Sequence, residues 1–151
     1  MHLLNTQQRR KMMLLGNEIG LAEAKQVVDA IADELVARQL GAAVAVVDPH
    51  GELVAFLKSD GCPLASINNA VNKAFTSARE GVPSRAIGES SRQEGFPLTN
   101  FGDPRYIGWG GGLPIVRGGA VIGAVGVSGL TEEEDIALAK MGLESLDATD
   151  G

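Results

Sequence analysis

Hydrophobic positions repeat every three or four residues in two long segments of the chain. In residues 21–40 this spacing predicts an amphipathic helix, and Gly41 follows it as a stop signal. Residues 66–79 show the same period, with Lys73 lying away from the apolar stripe. The positions predicted to be buried are Ala24, Val27, Val28, Ile31 and Leu35 in the first helix and Ile67, Ala70, Val71, Ala74, Phe75 and Ala78 in the second.

Shorter or less regular segments complete the helical part of the prediction. A helix over 84–94 restarts after Pro83, and a loop follows it to residue 105. The capping box Thr-Glu-Glu-Glu at 131–134 predicts a last helix to residue 146 that buries Ile136, Ala139, Leu143 and Leu146. Residues 1–19 are expected to form a helical extension, capped near Thr6, that packs on another subunit. Residues 147–151 are expected to be a frayed tail.

Four short apolar runs predict two hairpins. These runs are 42–47 with 52–57, and 113–116 with 120–127. Pro49 and Gly51 suit a type I turn in the first hairpin, and two glycines follow Arg117 at the tip of the second.

In the last strand, alternation divides the residues into two sets. Val121, Gly123, Val125 and Val127 form one set, and Ile122, Ala124, Gly126 and Ser128 form the other. Neither set is polar, so both faces of the sheet are expected to be covered. The predicted fold is an α/β (α+β) protein: a three-layer α/β/α sandwich around a central antiparallel sheet, in a single domain over 20–146.

Composition narrows the functional classes. The 151 residues carry a net charge of −6, which argues against a nucleic-acid-binding surface. A single cysteine, Cys62, excludes an intramolecular disulfide. The sequence shows no apolar run that suggests a membrane span or signal peptide, so we expect no membrane partner and a cytoplasmic location.

Several motifs, in order along residues 20–145, resemble the GlcG/HbpS family, which includes the C-terminal domain of PduO proteins. They are Val-Val-Asp-Pro-His-Gly-Glu-Leu-Val-Ala at 46–55, Asp-Gly-Cys-Pro-Leu-Ala-Ser-Ile at 60–67, Lys-Ala-Phe-Thr-Ser-Ala at 73–78, Gly-Gly-Gly-Leu-Pro-Ile at 110–115 and Ile-Gly-Ala-Val-Gly-Val-Ser-Gly at 122–129. The resemblance implies a profilin-like fold and a homo-oligomer. In some members it implies binding of haem or a related tetrapyrrole, with haem degradation as an activity.

The triple glycine at 110–112 has two interpretations. Its successive N–H groups can form an anion-binding nest, or the glycines can simply allow close approach of two backbones. A nucleotide fingerprint is excluded because Leu113 stands where that motif needs glycine. Leu130 likewise replaces the last glycine of a nucleophile elbow.

Lys73 and Thr76 match the Lys-Ala-x-Thr pattern of the resembled family. Lys73 is either a lysine that reaches over a pocket mouth to a ligand carboxylate or haem propionate, or a solvated surface lysine. The complete set of proposed ligand-binding residues is Lys73, Thr76, Arg85, Tyr106, Gly110, Gly111, Gly112 and Ser128.

Metal or haem ligation has little support in the sequence. The carboxylates at 132–135 are better explained as first-turn residues that offset the helix dipole than as a cation site. His2, His50, Cys62, Tyr106 and the methionines belong to no haem motif, and they form no recognisable metal set.

Three functions stay open at this point. The first is a module that binds haem or another carboxylated small molecule between helix 66–79 and the second hairpin. The second is an enzyme on a small organic acid, with Lys73 or Arg85 holding the carboxylate and Tyr106, Glu89 or Asp103 in proton transfer. The third is an oligomeric regulatory partner protein.

Overall fold

A computed structural model describes residues 5–8 and 18–150. Most of the predicted extension over 1–19 lies outside these residues. Within them, Thr6, Gln7 and Gln8 are helical. Asn5, and not Thr6, caps this turn: its Oδ1 accepts the Gln8 N–H at 2.8 Å, and its own N–H donates to Gln8 Oε1 at 3.0 Å.

Four helices and four strands make up the rest of the described residues. In chain order they are α1 (Leu21–Ala37), β1 (Ala43–Val47), β2 (Leu53–Lys58), α2 (Leu64–Glu80), α3 (Ser84–Glu94), a 3-10 turn (Leu98–Phe101), β3 (Gly112–Arg117), β4 (Ala120–Ser128) and α4 (Glu132–Asp150). The last helix extends beyond the predicted end at 146, because no glycine or proline interrupts the chain before Gly151. None of the helices in the described part of the chain is both long and apolar enough to cross a membrane.

The sheet is antiparallel throughout, in the order β2-β1-β4-β3. Each hairpin is therefore intact, and β1 and β4 join the two hairpins in the middle. Helices α1 and α4 pack together on one face, and α2 packs on the other. The predicted α+β sandwich with both faces covered is confirmed.

The turns form as their residue types predict. Asp48 Oδ1 accepts the N–H groups of His50 and Glu52 at 2.8 and 3.0 Å in the first hairpin. In the second hairpin, Gly118 and Gly119 have φ values of 57° and 80°, the left-handed conformation that a two-residue turn requires.

A β-bulge changes the predicted alternation in β4. Ile115 pairs with Gly123 while Val116 pairs with Val121, so Ile122 is an extra residue on its strand. Ile122 consequently packs with Val125 and the α1/α4 core, and not with Ala124 as alternation predicts. The bulge could not be predicted, because one extra residue in a strand produces no recognisable pattern of hydrophobic positions.

The buried face of α2 also differs from its apolar stripe. Ile67 and Val71 are only half-buried, whereas Lys73 and Ser77 are buried against the sheet. The cause is the sheet itself, which presents Gly126 and other small residues to α2: a Cβ at Gly126 would collide with the backbone of the helix. Small and polar residues of α2 therefore lie deepest, because the helix backbone approaches the strands closely.

Candidate functional site

A pocket opens where β4 ends and α4 begins. It has a volume of about 340 Å³, within the range of roughly 300–1,000 Å³ that is usual for small-molecule sites. Its walls come from α2, the loop before β3, the end of β4 and the first turn of α4. The lining residues are Ser66, Asn69, Lys73, Trp109, Gly110, Ser128, Gly129, Leu130, Glu132 and Asp135.

A buried ion pair forms the floor of this pocket. Lys73 Nζ lies 3.1 Å from Asp135 Oδ2 and donates to the carbonyl of Val127 at 3.0 Å. Both side chains are only 3% exposed. The expectation that Lys73 lies off the packed face of its helix is wrong, and so is the alternative of a solvated lysine. Its ammonium is drawn inward because a carboxylate and a strand-end carbonyl are both within reach.

Asp135 holds the lysine in a defined position. Its Oδ1 accepts the Leu130 N–H at 3.1 Å while Oδ2 faces the ammonium. Burial raises the pKa of Asp135 above its ordinary value, and the Lys73 charge and the Leu130 N–H partly oppose this rise. Within the described part of the chain, two acceptors take Lys73 N–H groups. An ammonium has three N–H groups, so these two acceptors leave one of them unused.

The first and last of the three glycines in the loop have different roles. Gly110 N–H donates to Glu132 Oε1 at 2.7 Å, and Gly112 N–H donates to Ser84 Oγ at 2.9 Å. A Cβ at Gly112 would collide with the Lys73 carbonyl, so close approach explains this glycine. The first glycine alone faces an anion, and that anion is the chain's own carboxylate.

Arg85 and Ser128 lie at different depths relative to the pocket. Ser128 is buried in the wall at the end of β4. Arg85 is outside the lining and half-exposed, where it bonds Glu133 at 2.8 Å and lies 4.0 Å from Glu132 Oε1. The Glu133 hydrogen bond is the main cause that raises the pKa of Arg85. Glu89 pairs with Arg85 at 3.4 Å and is also outside the lining.

Thr76 and Tyr106 belong to the support of the loop that carries the glycines. Thr76 Oγ1 accepts the Ile107 N–H at 3.0 Å and donates to the Arg105 carbonyl at 3.4 Å. The Tyr106 hydroxyl donates to Glu80 at 2.9 Å, and its ring stacks on Phe101 at 4.2 Å. Neither side chain lines the pocket. Their contacts anchor residues 105–107 to α2, just before the pocket wall begins.

Asp103 extends this support and does not face the pocket. It binds Arg105 through two oxygens, and this pairing lowers the pKa of Asp103 to about 2. A carboxyl held in its charged form by an arginine is a poor proton donor near neutral pH.

The sequence pattern does not predict that Asp135, Glu132, Ser84 or Trp109 belongs to a binding site. A usable signal existed for Asp135, which precedes the buried Leu138, Ala139 and Gly142 at helical spacing. It therefore lies on the packed stripe of α4 and not among the solvated carboxylates of the first turn. Ser84 carried no such signal, because its bonds to Trp109 and Gly112 join residues far apart in the chain.

The pocket is suited to hydrogen bonding with a polar ligand more than to metal binding. Within residues 5–8 and 18–150, no three His, Cys, Asp or Glu side chains are grouped so that they could hold a metal ion. Among these residues, the pocket lining contains no His, Cys, Met or Tyr. His50 lies in the β1–β2 turn, and the thiol of Cys62 donates to the Pro63 carbonyl. The pocket therefore does not fit a haem whose iron takes one of the usual axial ligands.

Fold and site together define an α+β protein with an antiparallel sheet covered on both faces and a polar pocket at one sheet end. A family model described as "Haem degrading protein HbpS-like" matches residues 19–144. The chain belongs to this HbpS-like family, and the resemblance to GlcG/HbpS proteins is confirmed.

Individual relatives agree with this assignment. An uncharacterised 15.0 kDa protein from the dhaT-dhaS intergenic region of Citrobacter freundii is 35% identical over 83% of this chain and 90% of its own length. The crystal structure of the Klebsiella pneumoniae protein ORFY matches with a TM-score of 0.81 and 30% identity, covering 97% of this chain and 99% of that one. A PduOC:heme complex matches in fold, with a TM-score of 0.77 and 23% identity over 85% of this chain and 94% of that one.

Proposed function

We propose that this protein binds a small molecule in the pocket between α2, β4 and α4. The observation that carries the proposal is the ion pair of Lys73 and Asp135, which is buried yet lies in the wall of an open pocket. A buried pair is costly to desolvate, and apolar residues of similar volume often replace it without loss of stability. Its presence at a pocket wall therefore favours a binding role over a purely structural one.

The ligand proposed for this pocket is a small organic acid. The third N–H of Lys73 is a charge-assisted donor, which prefers a carboxylate oxygen. Asn69, Ser66 and Ser128 add neutral donors and acceptors around it. Trp109, at the rim, offers an aromatic face for the apolar part of the ligand, since its side chain is 62% exposed.

Haem or a related tetrapyrrole is the second candidate, because the matching family model is named for haem degradation and PduOC is solved with heme. The side chains in the pocket oppose it, since they offer none of the usual axial ligands. Titration with haemin distinguishes the candidates. Haem binding would give a saturable shift of the Soret band, and haem degradation would then bleach that band over time.

A single tryptophan allows a direct test of ligand binding. Trp109 is the only tryptophan in the sequence and lies in the pocket lining. Small acids should change its fluorescence saturably, and Lys73→Met should weaken that binding at least tenfold. The matched control is Lys58→Met, at the end of β2 and outside the pocket lining. An equal loss in both variants, or none in either, would contradict the proposal.

An enzyme acting on a small acid is supported by one observation. Asp135 combines a raised pKa with a position in the pocket, which suits a group that exchanges a proton with a ligand. Asp135 thus takes the place of Tyr106, Glu89 and Asp103 in this hypothesis. Turnover of acids that bind the protein should then disappear in Asp135→Asn while their binding persists.

The homo-oligomer, the regulatory partner role and the cytoplasmic location stay predictions. Native mass spectrometry of the protein isolated from its host would measure the oligomeric state. The same spectrum would detect a retained ligand or a bound partner protein.

A further inference from the structure

One carboxylate of the chain occupies a ligand position in its own pocket. Glu132 Oε1 accepts the N–H of Gly110 at 2.7 Å, and both residues line the pocket. A Cβ added to Gly110 would lie 2.7 Å from that same oxygen. The backbone of the loop is therefore shaped to receive a carboxylate at this point.

The Glu132 side chain is less enclosed at this position than its neighbour Asp135. It is 40% exposed, unlike Asp135 on the same helix turn. Its Oε1 atom is also 4.0 Å from Arg85 Nε, at the rim of the pocket. A small rotation toward Arg85 would exchange the backbone N–H for a guanidinium, which Glu132 would share with Glu133.

The position that Glu132 would vacate and the buried lysine belong to the lining of the same pocket. The ammonium of Lys73 lies against the loop, since a Cβ at Gly111 would be 3.0 Å from Nζ. Lys73 still has one N–H to give. Once Glu132 leaves, the Gly110 N–H and this ammonium N–H are two donors in the lining of one pocket.

We propose that Gly110 N–H and Lys73 form a carboxylate subsite, and that Glu132 is its internal competitor. A small monocarboxylate enters with its oxygens on these two donors and displaces Glu132 toward Arg85. This inference rests on the proposed function, because it requires that the pocket binds a small molecule.

The same arrangement predicts which acids are accepted. When Glu132 has moved out, Asp135 stays in the pocket lining and already pairs with the one ammonium there. A second negative charge on the ligand would be repelled by Asp135 and would raise the energy of the complex. Monocarboxylates are therefore expected to bind more tightly than dicarboxylates of similar size.

The experiment uses Trp109 fluorescence to measure benzoate binding to the full-length protein and its variants. Glu132→Ala should bind benzoate about tenfold more tightly than the native chain, because it removes the competing acceptor and a repelling charge. Glu132→Gln should fall between the two, since its amide still accepts a hydrogen bond but carries no charge. The matched control is Glu134→Ala, which removes an equal charge from the same turn; its carboxylate accepts from Thr131 and pairs with Arg38, outside the pocket lining. It should stay within twofold of the native affinity.

A second measurement follows the Gly110 N–H itself by 15N NMR. In Glu132→Ala its proton resonance should move upfield, and saturating benzoate should return it downfield. Benzamide has the same shape as benzoate but no charge. Glu132→Ala should therefore tighten the binding of benzamide less than threefold. Thermal unfolding of each variant checks that it is folded.

Two outcomes would overturn this inference. One is that Glu132→Ala and Glu132→Gln bind benzoate no more tightly than the native chain; the other is that Glu134→Ala gains as much as Glu132→Ala. If other acids still change Trp109 fluorescence and depend on Lys73, only the subsite is refuted. If no small acid binds either the native chain or Glu132→Ala, the proposed function fails as well.

Discussion

Replacing Lys73 by Met removes one half of the buried ion pair while keeping the volume of the side chain. The Asp135 carboxylate, which is only 3% exposed, then keeps the Leu130 N–H but loses the ammonium. The Val127 carbonyl loses the Lys73 N–H as well. Removing one member of a buried pair typically costs about 3–5 kcal/mol. For a chain of this length, that corresponds to a fall in Tm of roughly 10 °C.

The loss should depend on pH in a defined direction. Without the ammonium, the folded-state pKa of Asp135 rises further above its ordinary value of 3.8. The folded state then keeps a proton that the unfolded state has released, so stability falls as pH rises through this window. The slope is limited to about 1.4 kcal/mol per pH unit for one group. The deficit of the variant is therefore largest near pH 7 and shrinks toward pH 4.

Urea unfolding followed by circular dichroism at pH 7, 5.5 and 4 measures both effects. The double variant Lys73→Met/Asp135→Leu is the control: it should recover most of the loss, because no unpaired charge remains. A single-variant loss below 1 kcal/mol with no pH dependence would show that water already solvates the pair. A double variant as unstable as the sum of the two single variants would refute the coupling.

Three further substitutions test the supports of the fold and the pocket. Gly126→Ala should lower the free energy of unfolding by about 1–3 kcal/mol, since its Cβ meets the backbone of α2. Thr76→Val should cost about 1–3 kcal/mol because it leaves the Ile107 N–H without its acceptor; urea unfolding measures both losses. Asp103→Asn should make stability depend less on pH in the acid range. In the native chain the pKa of Asp103 is lowered to about 2, so its carboxylate stabilises the fold above pH 3.8, and this stabilisation is lost as the pH falls toward 2. Thermal unfolding between pH 7 and pH 2 measures the difference between the variant and the native chain.

Each of these substitutions has a matched control in the chain. Gly118→Asn changes a glycine with no neighbour near its Cβ position, in a left-handed conformation that asparagine tolerates. Thr99→Val and Asp147→Asn change exposed residues of the same types. Equal effects in a substitution and its control would contradict the explanation given for it.

Helix α1 shows how much of the fold a regular period predicts. Its five predicted core positions, Ala24 to Leu35, are the five that the structure buries. An apolar stripe is reliable here because the helix packs on bulky side chains, which bury its largest residues first. Helix α3 likewise has its predicted bounds, Ser84–Glu94.

The site was less predictable because its contacts are long-range. Lys73 and Asp135 are 62 residues apart in the chain, and each is ordinary in its local sequence. Their meeting depends on how closely α2 approaches the glycines of β4, which no single helix period encodes. The triple glycine did mark the correct loop. Its partner Glu132, however, has the same local pattern as the solvated glutamates beside it.

The close contact of α2 with the glycines of the sheet restricts which residues near the pocket can be substituted. Substitution of Gly112 or Gly126 meets backbone atoms, which cannot move aside without shifting a whole helix. In the same pocket lining, by contrast, Trp109 is 62% exposed and Asn69 is partly exposed. Substitutions at Trp109 and Asn69 can therefore change ligand preference, in evolution or by design, while the packing of α2 on the sheet stays the same.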